Sequence, residues 1–366
     1  MPSTASAPGS SVMRSLRRLW ASGCCSDFPP CLRCSAGGFS QSATRSGPDR
    51  AADTSRGPVM RRQPFLFLGR AILQFAVFVL LAVAVAAPAV AGATKYAEGI
   101  FWKVQRDGGP ASHILGTLHS TDPRLRDLPE QIRQPFMAAR DVVFELPQDP
   151  QGQVRLQQAM ALPQGRRLDD ILGPDLFGAV AEVAARYGFQ PQMLRPLKPW
   201  ALSTFLIFPQ AEMVRLAQGE KVLDDWLRSE ALRLNKAVHG LESYAEQIAI
   251  FDDMSEAEQV AMVSELVADS GQLEATFNAM LDDYLKGQVG AIMAQLNDLE
   301  GVSDPAAARR FQQRLFFDRN VTMAARMGPF LQRGGAFVAI GAGHLPGEAG
   351  VLDLLERQGY RITRVY

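Results

Sequence analysis

Two short apolar runs at opposite ends of the aliphatic-rich part of the chain, residues 111–115 and 335–341, lead into the same local pattern. The first continues as Gly116-Thr117-Leu118-His119 and the second ends in Gly341-Ala342-Gly343-His344. Compact apolar runs bounded by turn formers read as buried strands. Glycine at each strand end is expected to let the chain turn tightly and expose the imidazole. If both strands belong to one sheet, most of the chain between them must be accommodated as an insertion.

The surrounding pattern fits that constraint. Residues 100–104 and 111–115, joined by Asp107-Gly108-Gly109-Pro110, form an expected β-hairpin. A proline-opened helix over 129–140 and a buried strand over 141–146 follow, which suggests a βαβ unit. Residues 151–235 and 244–327 are mainly helical in pattern, with Ser255 and Glu258 spaced as a capping box, and 236–241 reads as a strand between them. A helix over 347–358 and a last strand over 360–365 restore the βαβ logic. The expected fold class is α/β: a mixed central sheet built from both ends of the chain, with a helix-rich insertion at about 151–330 covering one edge.

The front of the chain differs in character. Residues 1–59 are rich in Ser, Arg, Gly, Pro and Ala without helical or strand periodicity, and are expected to be an extension that does not fold alone. After Met60, Arg61 and Arg62 precede an almost uncharged apolar run over 71–90. Small residues follow as Ala87-Pro88-Ala89, Ala89-Val90-Ala91 and Ala91-Gly92-Ala93. This reads as a signal peptide over 60–93, with Met60 as the start and a mature α/β domain over 94–366. The expected location is periplasmic or secreted, with membrane contact only through the signal. An uncleaved anchor is the alternative, because the run approaches the roughly 20 apolar residues that span a bilayer.

All four cysteines, Cys24, Cys25, Cys31 and Cys34, precede that signal, so the mature region must be held by its core without disulfides. Residues 1–93 hold ten basic and three acidic side chains, which leaves the remainder with a formal charge of −7. Neither a basic footprint nor a nucleic-acid motif is present, and nucleic acid is excluded as a partner. The sequence also lacks His-Glu-x-x-His, a nucleophile elbow and a phosphate-binding loop, and Gly341-x-Gly343 misses the third glycine of the dinucleotide fingerprint.

Four histidines occur. His113 sits inside a strand and His239 precedes Gly240, and both read as structural or exposed. His119 and His344 follow strands, where α/β sheets gather their ligands. Glu145 and Glu242 also end predicted strands, and a carboxylate there is costly unless paired, hydrogen-bonded or metal-bound. Two histidines with one or two glutamates suit a divalent metal, zinc, manganese or cobalt, that activates water. The bland alternative pairs Glu145 with an arginine such as Arg140 or Arg319.

Several segments together resemble the TraB/PrgY/GumN family and its Tiki-like metalloprotease and erythromycin-esterase-like relatives. They are Phe101-Trp102-Lys103-Val104, Ile114 through Asp122, Phe144-Glu145-Leu146, and Gly341-Ala342-Gly343-His344-Leu345-Pro346-Gly347 leading to Gly359-Tyr360. The resemblance runs from about residue 95 to the C-terminus. Its two Gly-x-x-His motifs map to His119 and His344, and its strand-end glutamate to Glu145. A Gly-Leu-Glu element followed by Gln resembles Gly240-Leu241-Glu242 and Gln247, and an Arg-Asn pair resembles Arg319-Asn320.

The resemblance implies a metal set of His119, His344, Glu242 and Glu145. It implies Glu145, Arg319 and Asn320 as catalytic groups, with Arg319 polarising a carbonyl or holding a substrate carboxylate. The expected function is an exported metal-dependent hydrolase, a peptidase acting on a peptide or small molecule. The alternative is a non-catalytic envelope protein that binds a peptide, haem or a metal ion.

Overall fold

In the computed structural model, which describes residues 94–299 and 302–366, six strands form one mixed sheet. They are β1 (Phe101–Gln105), β2 (Ser112–Thr117), β3 (Asp141–Phe144), β4 (Ala237–Gly240), β5 (Ala336–Gly341) and β6 (Arg361–Arg364), in the spatial order β4-β3-β5-β2-β1-β6. The β1–β2 pair is the expected hairpin, with Phe101 opposite Leu115. β6 closes the far edge antiparallel to β1. The remaining four strands are parallel, with Thr117 of β2 in register with Gly341 of β5 and Phe144 of β3 with Ala339. The sheet is therefore assembled from both ends of the chain. β5, from near the C-terminus, inserts between the two strands of the N-terminal βαβ unit and so becomes the neighbour of both.

The helices are α1 (Glu130–Ala138), α2 (Pro150–Ala159), α3 (Leu168–Ala185), α4 (Pro191–Leu194), α5 (Pro199–Leu206), α6 (Gln210–Ala217) and α7 (Leu223–Arg233) before β4. Between β4 and β5 lie α8 (Tyr244–Asp252), α9 (Glu256–Ala268), α10 (Leu273–Leu285), α11 (Val289–Asn297), α12 (Pro305–Gln312) and α13 (Asp318–Arg333). α14 (Val351–Arg357) precedes β6. The Ser255–Glu258 capping box that opens α9 has both of its reciprocal bonds. The last helix is shorter than its pattern, beginning at Val351, because a 3-10 turn at Ala342–His344 and the Gly347 loop occupy the preceding residues.

Both faces of the sheet are covered. Alternate residues of one strand enter different cores: Phe337 and Ala339 pack with Leu115, Phe144 and the helices of the middle region, whereas Val338 and Ile340 pack with Ile114, Val143, Met327 of α13 and Leu352 of α14. That double coverage explains why β5 reads as a continuous apolar run rather than an alternating one. A third cluster around Trp200, Phe251 and Phe316 lies within the helical middle.

Among the described residues no helix is long and apolar enough to cross a membrane. The extension, the cysteines and the expected signal peptide over 60–93 lie outside the described residues.

Candidate functional site

Because β4, β3, β5 and β2 are parallel neighbours, their C-terminal ends share one edge of the sheet. The residues just beyond those ends stand in the order Glu242, Glu145, His344, His119. The four strand-end residues singled out in the sequence thus occupy successive positions along this edge, where ligands of parallel sheets bind.

The glycines that lead into the histidines have a different role from the one expected. Neither Gly116 nor Gly341 has a positive φ, and Gly116 is part of β2. They are needed for close approach. A Cβ on Gly116 would stand 2.6 Å from Leu345 Cδ1 and 3.0 Å from Ala342 Cα, so the first loop can lie against the second only without a side chain there. At Gly341 a Cβ would meet Glu145 Oε1 at 3.3 Å, and the Gly341 amide donates to that oxygen at 2.7 Å.

His344 is buried at 1% exposure. Its Nδ1 is 2.6 Å from Asn320 Oδ1, and Asn320 Nδ2 donates to the Ala349 carbonyl at 2.8 Å. The amide's orientation makes its oxygen the acceptor, so His344 carries its proton on Nδ1 and presents a lone pair at Nε2. That nitrogen is 3.8 Å from Glu145 Oε1. Burial holds the imidazole well below its usual pKa range, with Arg319 and His119 adding to the effect.

His119 is more open, with its side chain 15% exposed, and its Nδ1 faces Asp224 Oδ2 at 3.4 Å. The other oxygen of Asp224 accepts from Thr117 Oγ1 at 2.7 Å. An oxygen facing Nδ1 is the usual means of orienting a metal-binding imidazole. For His344 it is a hydrogen bond to Asn320, whereas Asp224 Oδ2 lies beside His119 Nδ1 without hydrogen-bonding it.

Glu145 and Glu242 share one guanidinium. Arg319 Nη2 donates to Glu145 Oε2 at 2.8 Å and to Glu242 Oε2 at 2.7 Å, its Nε reaches Glu242 Oε1 at 2.9 Å, and its Nη1 donates to the Leu315 carbonyl at 3.0 Å. Gln247 Nε2 adds a bond to Glu242 at 3.2 Å. Arg319 is delivered by a π-helical turn at Gln313–Phe317, a widening that often accompanies functional positions. One guanidinium between two carboxylates leaves a negative charge uncompensated. Burial pushes Glu145 above the usual carboxylate range despite the pull of Arg319.

A cleft of about 300 Å³ opens onto this edge. Of the residues singled out in the sequence, His119, Glu145 and Gln247 line it, whereas His344, Glu242, Arg319 and Asn320 do not. The expected direct contact of Arg319 with a substrate therefore meets a side chain engaged with two glutamates, and the arginine pairing offered as the bland reading of Glu145 is present. Sequence reasoning missed Asp224, Asp225 and Arg228, all in the cleft wall. Asp224-Asp225 looks in the sequence like an ordinary acidic first turn, and only the tertiary fold brings α7 to His119. His113 stacks on Phe101, and His239 bonds Asp141 Oδ1 at 2.8 Å, both apart from the site.

The donor chemistry suits a divalent ion in part. Ligands about 2.0–2.2 Å from one ion lie about 3–4 Å from each other, which the 3.8 Å between His344 Nε2 and Glu145 Oε1 satisfies. As placed, no three His, Cys, Asp or Glu side chains among the described residues form a metal-binding group. Both oxygens of Glu242 accept from Arg319, as those of Glu145 accept from the Gly341 amide and Arg319.

A mixed α/β sheet with a ligand-type edge, two imidazoles and a buried Glu–Arg–Glu network defines the class. The chain matches the TraB/PrgY/gumN family over residues 100–364 and belongs to that family. It is similar to metalloprotease TIKI1 of Danio rerio, 26% identical over 315 residues that make up 72% of this chain and 63% of the relative. Metalloprotease TIKI1 of Homo sapiens is 25% identical over 316 residues, 72% of this chain and 61% of the relative. The chain thus spans less than two thirds of the length of these relatives. An uncharacterized protein of Treponema pallidum (strain Nichols) is 22% identical over 278 residues, 71% of this chain and 81% of that protein. No solved structure matches the chain.

Proposed function

We propose that this chain is an exported metal-dependent hydrolase that cleaves peptide bonds. The observation that carries the reading is the row His119, His344 and Glu145 along one sheet edge, with each imidazole's Nδ1 facing a protein oxygen. Export rests on the apolar run and small-residue sites over 60–93. The names of the TIKI relatives support the metalloprotease class.

Glu145, His344 and His119 would hold manganese, cobalt or zinc through oxygen and the two Nε2 atoms. Such an ion supplies Lewis acidity toward a carbonyl and water. The chain's own groups do the rest. Asn320 fixes the lone pair of His344 at Nε2, Asp224 lies beside His119 Nδ1, and Arg319 and the Gly341 amide hold Glu145 in place while leaving one edge of it at the cleft. In this account Arg319 and Asn320 are positioning residues rather than groups that touch the substrate.

Metal analysis of the purified protein, paired with cleavage of a peptide library by wild type, His119→Ala and His344→Ala, tests the reading. Bound metal and cleavage lost in both variants are expected. Metal-free protein without histidine-dependent cleavage sinks it, and a peptide or haem retained without turnover marks a binding protein instead.

A further inference from the structure

Arg228 lies one turn beyond Asp224 on α7 and lines the cleft with His119 and Glu145. Its guanidinium sits over the Phe144 ring, 4.3 Å from the centroid, which holds the fork in a fixed plane. Its ion-pair contact is long: Arg228 Nε is 3.9 Å from Asp225 Oδ1, beyond hydrogen-bond reach. Arg228 Nη1 is buried and has no hydrogen-bond partner among the described residues. A guanidinium cannot shed its proton, so a buried unbonded N–H is a standing cost that a bound acceptor removes.

The contrast with Arg319 is direct. Arg319, close behind the same cleft, has its Nε, Nη1 and Nη2 bonded to carboxylates or a carbonyl. Of the carboxylates around the cleft Glu145 is engaged through both oxygens, and Asp224 through Oδ1 while its buried Oδ2 has no hydrogen-bond partner among the described residues. Glu145 accepts from Gly341 and Arg319, and Asp224 accepts from Thr117 and faces His119. Lys221, donating to Ser229 Oγ at 2.6 Å, adds a second positive charge to the same wall. The unbonded donor in this wall is thus a planar cation, and its complement is a carboxylate.

We propose that Arg228 anchors a carboxylate of the peptide substrate and so sets an adjacent bond beside His119 and Glu145. The word substrate rests on the hydrolase reading; the carboxylate site itself does not. Peptides offer this chemistry at the C-terminus and on acidic side chains, and the test distinguishes the two.

Three probes are titrated calorimetrically into the full-length wild-type protein: N-acetyl-Ala-Ala-Ala with a free C-terminus, its C-terminal amide, and N-acetyl-Ala-Glu-Ala-amide. The same titrations follow with Arg228→Gln and Arg228→Lys, and cleavage of each probe is measured in parallel. At least one carboxylate probe is expected to bind about tenfold or more tighter than the amide. A preference for the first probe assigns the C-terminal carboxylate, and a preference for the third assigns a side chain. Arg228→Gln removes the preference for carboxylate over amide, and Arg228→Lys retains part of it, because lysine presents a point charge without the fork.

Equal affinities in wild type, including no binding of any probe, overturn the proposal, as does a preference that survives Arg228→Gln. If Arg228→Gln fails to fold, the wild-type preference and its partial loss in Arg228→Lys decide. Carboxylate preference without turnover fails the hydrolase reading alone, and turnover without preference fails this one alone.

Discussion

The two Gly-x-x-His loops share a local sequence pattern, neighbouring parallel strands and one sheet edge, yet they are held by different parts of the molecule. The His119 loop is fastened from the helical middle. Glu212 of α6 accepts from Ser120 Oγ at 2.7 Å and the Thr121 amide at 2.8 Å, Arg215 Nε donates to Thr121 Oγ1 at 2.7 Å, and Tyr284 of α10 donates to the Gly116 carbonyl at 2.7 Å. The His344 loop is fastened from the sheet and α13, through Glu145 on the Gly341 amide and Asn320 on the imidazole. Phe316 and Met293 close over Gly343. One histidine consequently faces the cleft and the other sits behind it. The pattern sets a residue's place along the edge, and the surroundings set what it can do there.

The largest effect is expected from removing the cation behind His344. Arg319→Ala leaves Glu145 and Glu242 buried without the cation that pairs with both, which costs about 3–5 kcal/mol. Urea unfolding of the variant measures it. A loss under about 1 kcal/mol would mean that water reaches the two glutamates, and the distinction between an inner and an outer histidine would fall with it.

Next come the glycines. Gly116→Ala forces the first loop away from Leu345 and the Ala342 backbone, an overpacking that costs about 1–3 kcal/mol. Cleavage should fall further than stability does, because the separation of the two imidazoles changes. Gly343→Ala meets Met293 Sδ and Phe316 Cε1 at 3.1 Å, side-chain atoms that can shift, and should cost less. Equal unfolding penalties in the two variants would show that the loops do not depend on close approach at Gly116.

Much of this architecture was legible in the sequence because the informative signals are local. The apolar run of β5, the Asp107–Pro110 turn and the Ser255–Glu258 box are each short-range patterns, and each has its expected structure. Placing the strand-end residues along one edge needed only the rule that parallel strands share their ends. What escaped depends on contacts distant in sequence: Asp224 meets His119, and Glu212 meets Ser120. The purpose of Gly116 escaped for the same reason, since glycine's tolerance of unusual φ is a local property and its lack of a side chain matters only beside a particular neighbour. The π-turn that delivers Arg319 has no periodic signature in five residues.

A smaller and more discriminating effect comes from removing the oxygen at each Nδ1. Asn320→Ala leaves a buried imidazole N–H unbonded and should cost about 1–3 kcal/mol. Asp224→Ala affects a more open histidine and the Thr117 hydroxyl, and should cost about 1 kcal/mol or less. Nitrogen-15 chemical shifts of the two imidazoles report the tautomers directly. His344 is expected to hold its proton on Nδ1 in wild type and to lose that preference in Asn320→Ala. An unchanged His344 spectrum in that variant would remove Asn320 as its orienting group.

A further effect separates the two sides by pH. Burial pushes Asp225, on the cleft wall near His119, from 3.8 up to about 6, against the pull of Arg228. Between about pH 4 and 6 the folded chain then keeps a proton that the unfolded chain has released. Stability therefore falls as pH rises through that window and levels off above it. Asp225→Asn removes the titration, so its stability relative to wild type should improve between pH 4 and pH 7, by about 1–2 kcal/mol once the partial exposure of the side chain is allowed for. Urea midpoints at the two pH values give the difference. A gap between variant and wild type that stays constant from pH 4 to pH 7 would mean that Asp225 is solvated, and that the wall around His119 is wetter than its packing implies.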